Sequence, residues 1–214
     1  MNNRTYKSLI IVALAIALLI PSYSFAKGKM KGPKLSVKTA ELKLALRDLW
    51  IGHIFWVRNV VLETKSGNAD AAKVAEEQVV ENAKALAGSI TPYYGKEASD
   101  KLFGLLAGHY GAIKDYMNAA FGDNKEAKDA ATDKLKKNAK EIAIFLSSAN
   151  PNWPKETLKS ALFAHGGHHI AQINAVSAKD YVAEAKNWDM MKSHIYVIAD
   201  VLVDGIVKQF PKKF

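Results

Sequence analysis

The sequence predicts an all-α protein, a closed antiparallel bundle of about six helices built from three helical hairpins with a repeat of about 56 residues. Three observations carry this. Histidines recur at one constant interval, at His53, His109 and His165. A second polar series, Asn82, Asn138 and His194, keeps the same interval and follows the first by a fixed offset each time. Finally, the midpoints between paired members are turn chemistry: Ser66-Gly67-Asn68, Gly122-Asp123-Asn124 and Ser177-Ala178-Lys179-Asp180. Gly, Asn and Asp tolerate left-handed backbone, and Asn, Asp and Ser bond their own main chain, so such clusters end helices. Pro92-Tyr93-Tyr94-Gly95 and Asn150-Pro151-Asn152 break the chain again between hairpins. Solenoid repeats are usually shorter than this interval, and three hairpins with short connections pack readily into a closed globule.

Each helix follows from apolar periodicity. The first carries Leu42, Leu46, Leu49, His53, Trp56 and Val60, in steps of four and three that mark one helix face. Helix two gives Ala75, Val79, Asn82 and Leu86; helix three gives Leu102, Leu106, His109, Ile113 and Tyr116. The fourth reads Leu135, Asn138, Ile142 and Phe145. The fifth opens after Pro154 with Leu158, Leu162, His165, His169 and Gln172, and the sixth sets His194 beside Met191, Ile195, Ile198 and Leu202. In every helix the polar residue falls inside the apolar seam. A helix rises about 1.5 Å per residue, so each of these residues lies roughly 20 Å from its turn, near mid-bundle.

The N-terminus carries an expected address. Arg4 and Lys7 precede an apolar run from Leu9 to Ile20, then Pro21 and the small-residue site Ser24-Phe25-Ala26, the pattern of a cleavable export signal. Residues 1–26 are read as that signal, 27–35 as a basic leader expected to be flexible, and 36–214 as one helical domain. The protein is therefore expected in the periplasm or secreted, with no transmembrane segment after cleavage. The chain has no cysteine, which excludes disulfides, thiolate metal sites and thioether haem attachment. Its net charge of +9 comes mostly from lysine. Lysines spread along helices solvate outer faces, and without an arginine stripe or interleaved aromatics they do not point to nucleic acid. Weak contact with anionic surfaces is an alternative use of that charge. Oligomeric state is not readable.

Two readings of the buried polar layer compete. In one, a ligand-free structural or interaction protein uses His/Asn pairs within each hairpin to fix helix register. In the other, imidazoles from separate helices hold a transition-metal ion. Neutral imidazole suits zinc, copper, nickel and iron. His53, His109 and His165 are then the first ligands, His194 completes the set, and His169, one turn after His165, is a further candidate. Asn82 and Asn138 would accept the other ring N–H and fix its orientation. A haem between two histidines is the alternative cofactor and needs space for a macrocycle. Arg58, just over one turn beyond His53, is a candidate anion contact, against an ion pair with a glutamate. No nucleophile motif is present, the seams near the layer offer no carboxylate, and Asp200 and Asp204 lie well down helix six, so the residues select no enzyme reaction.

Several local strings occur together: Leu49-Trp50-x-x-His53-x-x-Trp56-x-Arg58, Pro92-Tyr93-Tyr94-Gly95, Asn138-Ala139-x-x-Ile142-Ala143-x-Phe145-Leu146-Ser147, Asn150-Pro151-x-Trp153 and His194-x-x-x-Ile198-Ala199-Asp200. In this combination the chain resembles a group of small bacterial all-helical proteins. The resemblance covers most of the chain after residue 26, implies a single helical domain, adds weight to His53, His109, His165 and His194, and carries no activity across. The Gly166-Gly167-His168-His169 segment departs from that group.

Overall fold

Helix ends are set by the turn residues, and the repeat holds down to single dihedral angles. In the computed structural model, which describes residues 35–214, Gly67, Asp123 and Lys179 all have positive φ, at 81°, 50° and 60°. The residue after each of these caps the next helix: Asn68, Asn124 and Asp180 accept the backbone N–H of Ala71, Ala127 and Ala183. Three hairpins result, α1 (Val37–Ser66) with α2 (Ala69–Gly88), α3 (Thr91–Phe121) with α4 (Lys125–Ala149), and α5 (Lys155–Ser177) with α6 (Tyr181–Gln209). Pro92 sits in the first turn of α3, and Gly95, at φ 82° and ψ 174°, kinks the helix just after it. Among the described residues there is no strand, and no helix is long and apolar enough to cross a membrane. The expected export signal and all but the last residue of the basic leader lie outside the described residues.

Lys179 is the costly member of the turn series, because a side chain with a Cβ loses about 1–2 kcal/mol in left-handed backbone. Lys179→Gly is expected to stabilise the fold by roughly 0.5–1 kcal/mol, read as a higher denaturant midpoint with unchanged slope. A lower midpoint would mean that the lysine side chain contributes more at this turn than its backbone costs.

The six helices form a closed ring: each packs on its neighbours in the chain, α6 returns to α1, and α5 touches α1 and α3 across the interior. Two apolar cores fill the ring. One, at the hairpin-junction end, includes Leu46, Trp50, Leu106, Leu162, Met191 and Ile195. The other, toward the hairpin turns, includes Val57, Val61, Val79, Ile113, Leu135 and Ile173. The histidine layer lies at the boundary between them on every odd-numbered helix. On α1 the buried stripe runs through Leu46, Trp50, His53, Val57 and Val60, while Leu49 and Trp56 are only partly covered. Both stripes have helical period; contact with α6 as well as α2 decides which one faces in.

The junction end is closed by aromatics. Trp153 is buried and donates its indole N–H to the Val201 carbonyl at 3.2 Å. Tyr94 donates to Gln209 and accepts from Asn150. The C-terminal tail docks there: Phe214 stacks on Tyr93, with 6.0 Å between centroids, and Lys213 donates to the Pro92 carbonyl.

Candidate metal centre

His53 from α1, His109 from α3, and His165 and His169 from α5 are buried together, each with one ring nitrogen inside a group whose members all lie within 4.8 Å of one another. The third hairpin supplies two of the four. At the repeat interval His169 corresponds to Val57 and Ile113, seam residues of the other hairpins. That substitution is the visible signal of a fourth imidazole, and it arises where the histidine spacing alone does not look.

The nitrogens face one another. His165 Nε2 lies 3.3 Å from His53 Nε2 and 3.2 Å from His169 Nε2. An imidazole nitrogen carries either one proton or one in-plane lone pair, so His165 Nε2 shares a single proton or lone pair between two contacts and at most one of them is well aligned. His109 fares worse. Neither of its ring nitrogens has a hydrogen-bond partner among the described residues, and the Nδ1 atoms of His165 and His169 also lack one. Leaving such a group unpaired costs on the order of 1–3 kcal/mol. In place of bonds, the His109 ring stacks on His165, with 5.5 Å between centroids and 16° between planes.

Burial keeps the imidazoles neutral. It lowers His53 to about 3, with His109 adding to the effect, and His109 to about 4, where Asn138 partly opposes it. His165 and His169 are held well below the ordinary range, by burial first and then by the neighbouring imidazoles. Four neutral rings at pH 7 present lone pairs, which is the state a metal ion requires.

The second polar series has a different task from the one expected. Asn82, Asn138 and His194 donate to the carbonyls of Leu49, Leu105 and Ala161, at 2.9 Å in each case. Each carbonyl belongs to the residue four before the primary histidine. These bonds lock the two helices of a hairpin at the height of the layer. His194 is therefore outside the cluster, and its place in the set is taken by His169. Asn82 and Asn138 do not bond the imidazoles: their amide N–H groups go to backbone, and their Oδ1 atoms have no partner among the described residues. Asn138 still lies close enough to His109 to act on its titration. Gly52 and Gly108 permit this, because a Cβ at either would stand 2.9 or 3.2 Å from the amide nitrogen. The interval placed these residues at the right height but carried no information about which way they turn.

Two other expectations resolve geometrically. Arg58 is no free anion contact: its guanidinium grips the buried Glu184 through two bonds of 2.6 and 2.8 Å and lies over Trp188. Gln172 adds a bond to the same carboxylate, and the Arg58 pair lowers the Glu184 pKa. His168 lies at the margin of the cluster, against Asn187 at 3.1 Å. The imidazole centroids stand 4.5–6.1 Å apart, a spacing that fits a single ion shared among the rings.

The chain matches no family model, no curated protein and no solved structure, and the chemistry of this centre rests on its own atoms.

Proposed function

We propose that the protein, once exported, binds a transition-metal ion, zinc, copper, nickel or iron, through His53, His109, His165 and His169. The observation that carries this is the convergence of four buried, neutral imidazoles, each with a ring nitrogen within 4.8 Å of the others, and with His165 Nε2 only 3.3 and 3.2 Å from the Nε2 atoms of His53 and His169. Metal–nitrogen bonds of about 2.0–2.1 Å in a tetrahedron place neighbouring nitrogens about 3.3–3.4 Å apart. The two contacts of His165 Nε2 lie close to that edge length, and its one proton or lone pair cannot be well aligned with both neighbours at once. His109 supports the same reading: a purely structural imidazole would find a protein partner, as His194 does, whereas this one has only a ring to stack on.

The test is metal content. Untagged protein, dialysed without chelator, is expected to retain about one ion per chain, and His53→Ala and His109→Ala each to weaken binding at least as much as the roughly 10–100-fold that loss of a supporting residue costs. A chain that retains no ion and does not compete with a chromophoric chelator overturns the proposal. His109→Leu separates the metal reading from the structural rival. With an orphaned polar group replaced by an apolar one of similar volume, the metal-free variant should be at least as stable as the parent while binding less metal. A metal-free loss of several kcal/mol would favour the rival.

A further inference from the structure

The repeat interval builds more than the histidine layer. Three residues before each primary histidine stand Trp50, Leu106 and Leu162, and seven before stand Leu46, Leu102 and Leu158. These two tiers, with His53, His109 and His165 behind them, line a cavity of about 100 Å³ inside the ring, and His169 is not among its lining residues. Leu86, Ile142 and Ile198, again one repeat apart, line it from the even-numbered helices. The walls are almost wholly apolar, and an apolar cavity of this kind stays dry. Beside the imidazoles, Trp50 adds a polar group, since its indole N–H is buried and has no acceptor among the described residues. The cavity reaches outward between α5 and α6, where Thr157 and Val197 line it and are exposed. The equivalent positions of the second hairpin hold two charged residues, Lys101 and Glu141, both exposed.

We infer that this cavity is a ligand chamber that admits a small neutral diatomic molecule, of the class that includes dioxygen, nitric oxide and carbon monoxide, to the ion held by the histidines. The inference rests on the metal reading above. Size selects the class: about 100 Å³ is smaller than the roughly 150 Å³ that takes up benzene in an apolar cavity, so a single apolar atom or a molecule of a few atoms suits it best. Polarity agrees, because charged or strongly hydrated ligands lose their water here without replacement bonds. Geometry supplies the contact: three of the four imidazoles form the inner wall, and Trp50, one turn from His53, offers a single hydrogen bond to a weak acceptor.

Two measurements test this and keep its failure separate from that of metal binding. Metal-free protein is exposed to xenon and followed by 129Xe NMR. Expected is saturable uptake, lost in Leu162→Phe and in Leu106→Phe, either of which fills the chamber. Protein loaded with Cu(I) is then titrated with carbon monoxide and read by its infrared stretch. A single CO band should appear and should shift in Trp50→Phe, which removes the indole N–H. The filling variants should keep their copper and lose CO affinity by roughly tenfold or more, as expected for a crowded apolar pocket. Protein that retains none of the four ions overturns the metal reading and this inference with it, and protein that retains another ion but not Cu(I) overturns this inference alone, whatever xenon shows. Copper retained without CO binding, without xenon uptake, or with CO affinity unchanged in both filling variants, overturns the chamber alone.

Discussion

Gly205→Ala is expected to destabilise the fold by about 3 kcal/mol or more, against the ordinary trend for glycine in a helix. An alanine in a helix interior gains roughly 1 kcal/mol over glycine by propensity alone. Here sterics decide the sign. A Cβ on Gly205 would stand 1.9 Å from Trp153 Nε1 and 2.4 Å from its Cδ1. The indole cannot swing aside at low cost: it is 2 % exposed, bonds the Val201 carbonyl of the same helix, and packs against Tyr94 at 5.7 Å. Moving it would loosen the Tyr94, Asn150 and Gln209 bonds that close the junction end. Overpacking typically costs about 1–3 kcal/mol, and an aromatic lost from a core costs about 3–5. Denaturant unfolding of Gly205→Ala beside Gly104→Ala is the measurement. A Cβ on Gly104, in α3, would meet nothing within 4 Å, so that control should gain stability. If both variants gain, Trp153 does not lie flush on α6.

Acid is expected to unfold the metal-free protein well above the pH at which carboxylates protonate. The folded imidazoles are depressed, His53 to about 3 and His109 to about 4, with His165 and His169 lowered as well, burial being the largest cause for all four. Unfolded imidazoles take up protons near pH 6.5, so between that value and the folded values the unfolded chain binds more protons. Stability is therefore full above about pH 6.5 and is lost as pH falls toward 4 and below. Each site contributes about 1.4 kcal/mol per pH unit in that window. Four sites together approach about 5.5 kcal/mol per unit, against a typical domain stability of about 5–15 kcal/mol. A cooperative loss of helix near pH 5 is expected by circular dichroism. His109→Leu should move the midpoint to lower pH, and an ion that displaces protons should oppose the transition. A helical signal unchanged from pH 7 to pH 4 would show that these rings are not buried and neutral in solution.

Most of the fold was legible from the chain because its repeat is written in residues that act locally. Gly67, Asp123 and Lys179 set a left-handed residue, and Asn68, Asn124 and Asp180 cap the helix after it; neither needs a distant partner. The seam of α1 was harder. Leu49 and Trp56 have the same period as Trp50 and Val57, and only packing against two neighbours separates the sets. The centre was legible in part. Height along a helix follows from counting residues, which is why His53, His109 and His165 could be placed in one layer. Direction does not follow from counting. His194 shares that height, yet its ring donates sideways to Ala161, and the amides of Asn82 and Asn138 close on backbone.

By itself the sequence determined the elements, their order and the level of the polar layer, since turn chemistry, caps and apolar period depend on neighbours a few residues away. Tertiary structure alone decided that His169 joins the cluster, that Glu184 occupies Arg58 and that an apolar chamber adjoins the rings. Those outcomes depend on how six helices rotate about their own axes when the ring closes. A rotation of one residue turns a side chain by about 100°, and many packed contacts, none of them local, settle it.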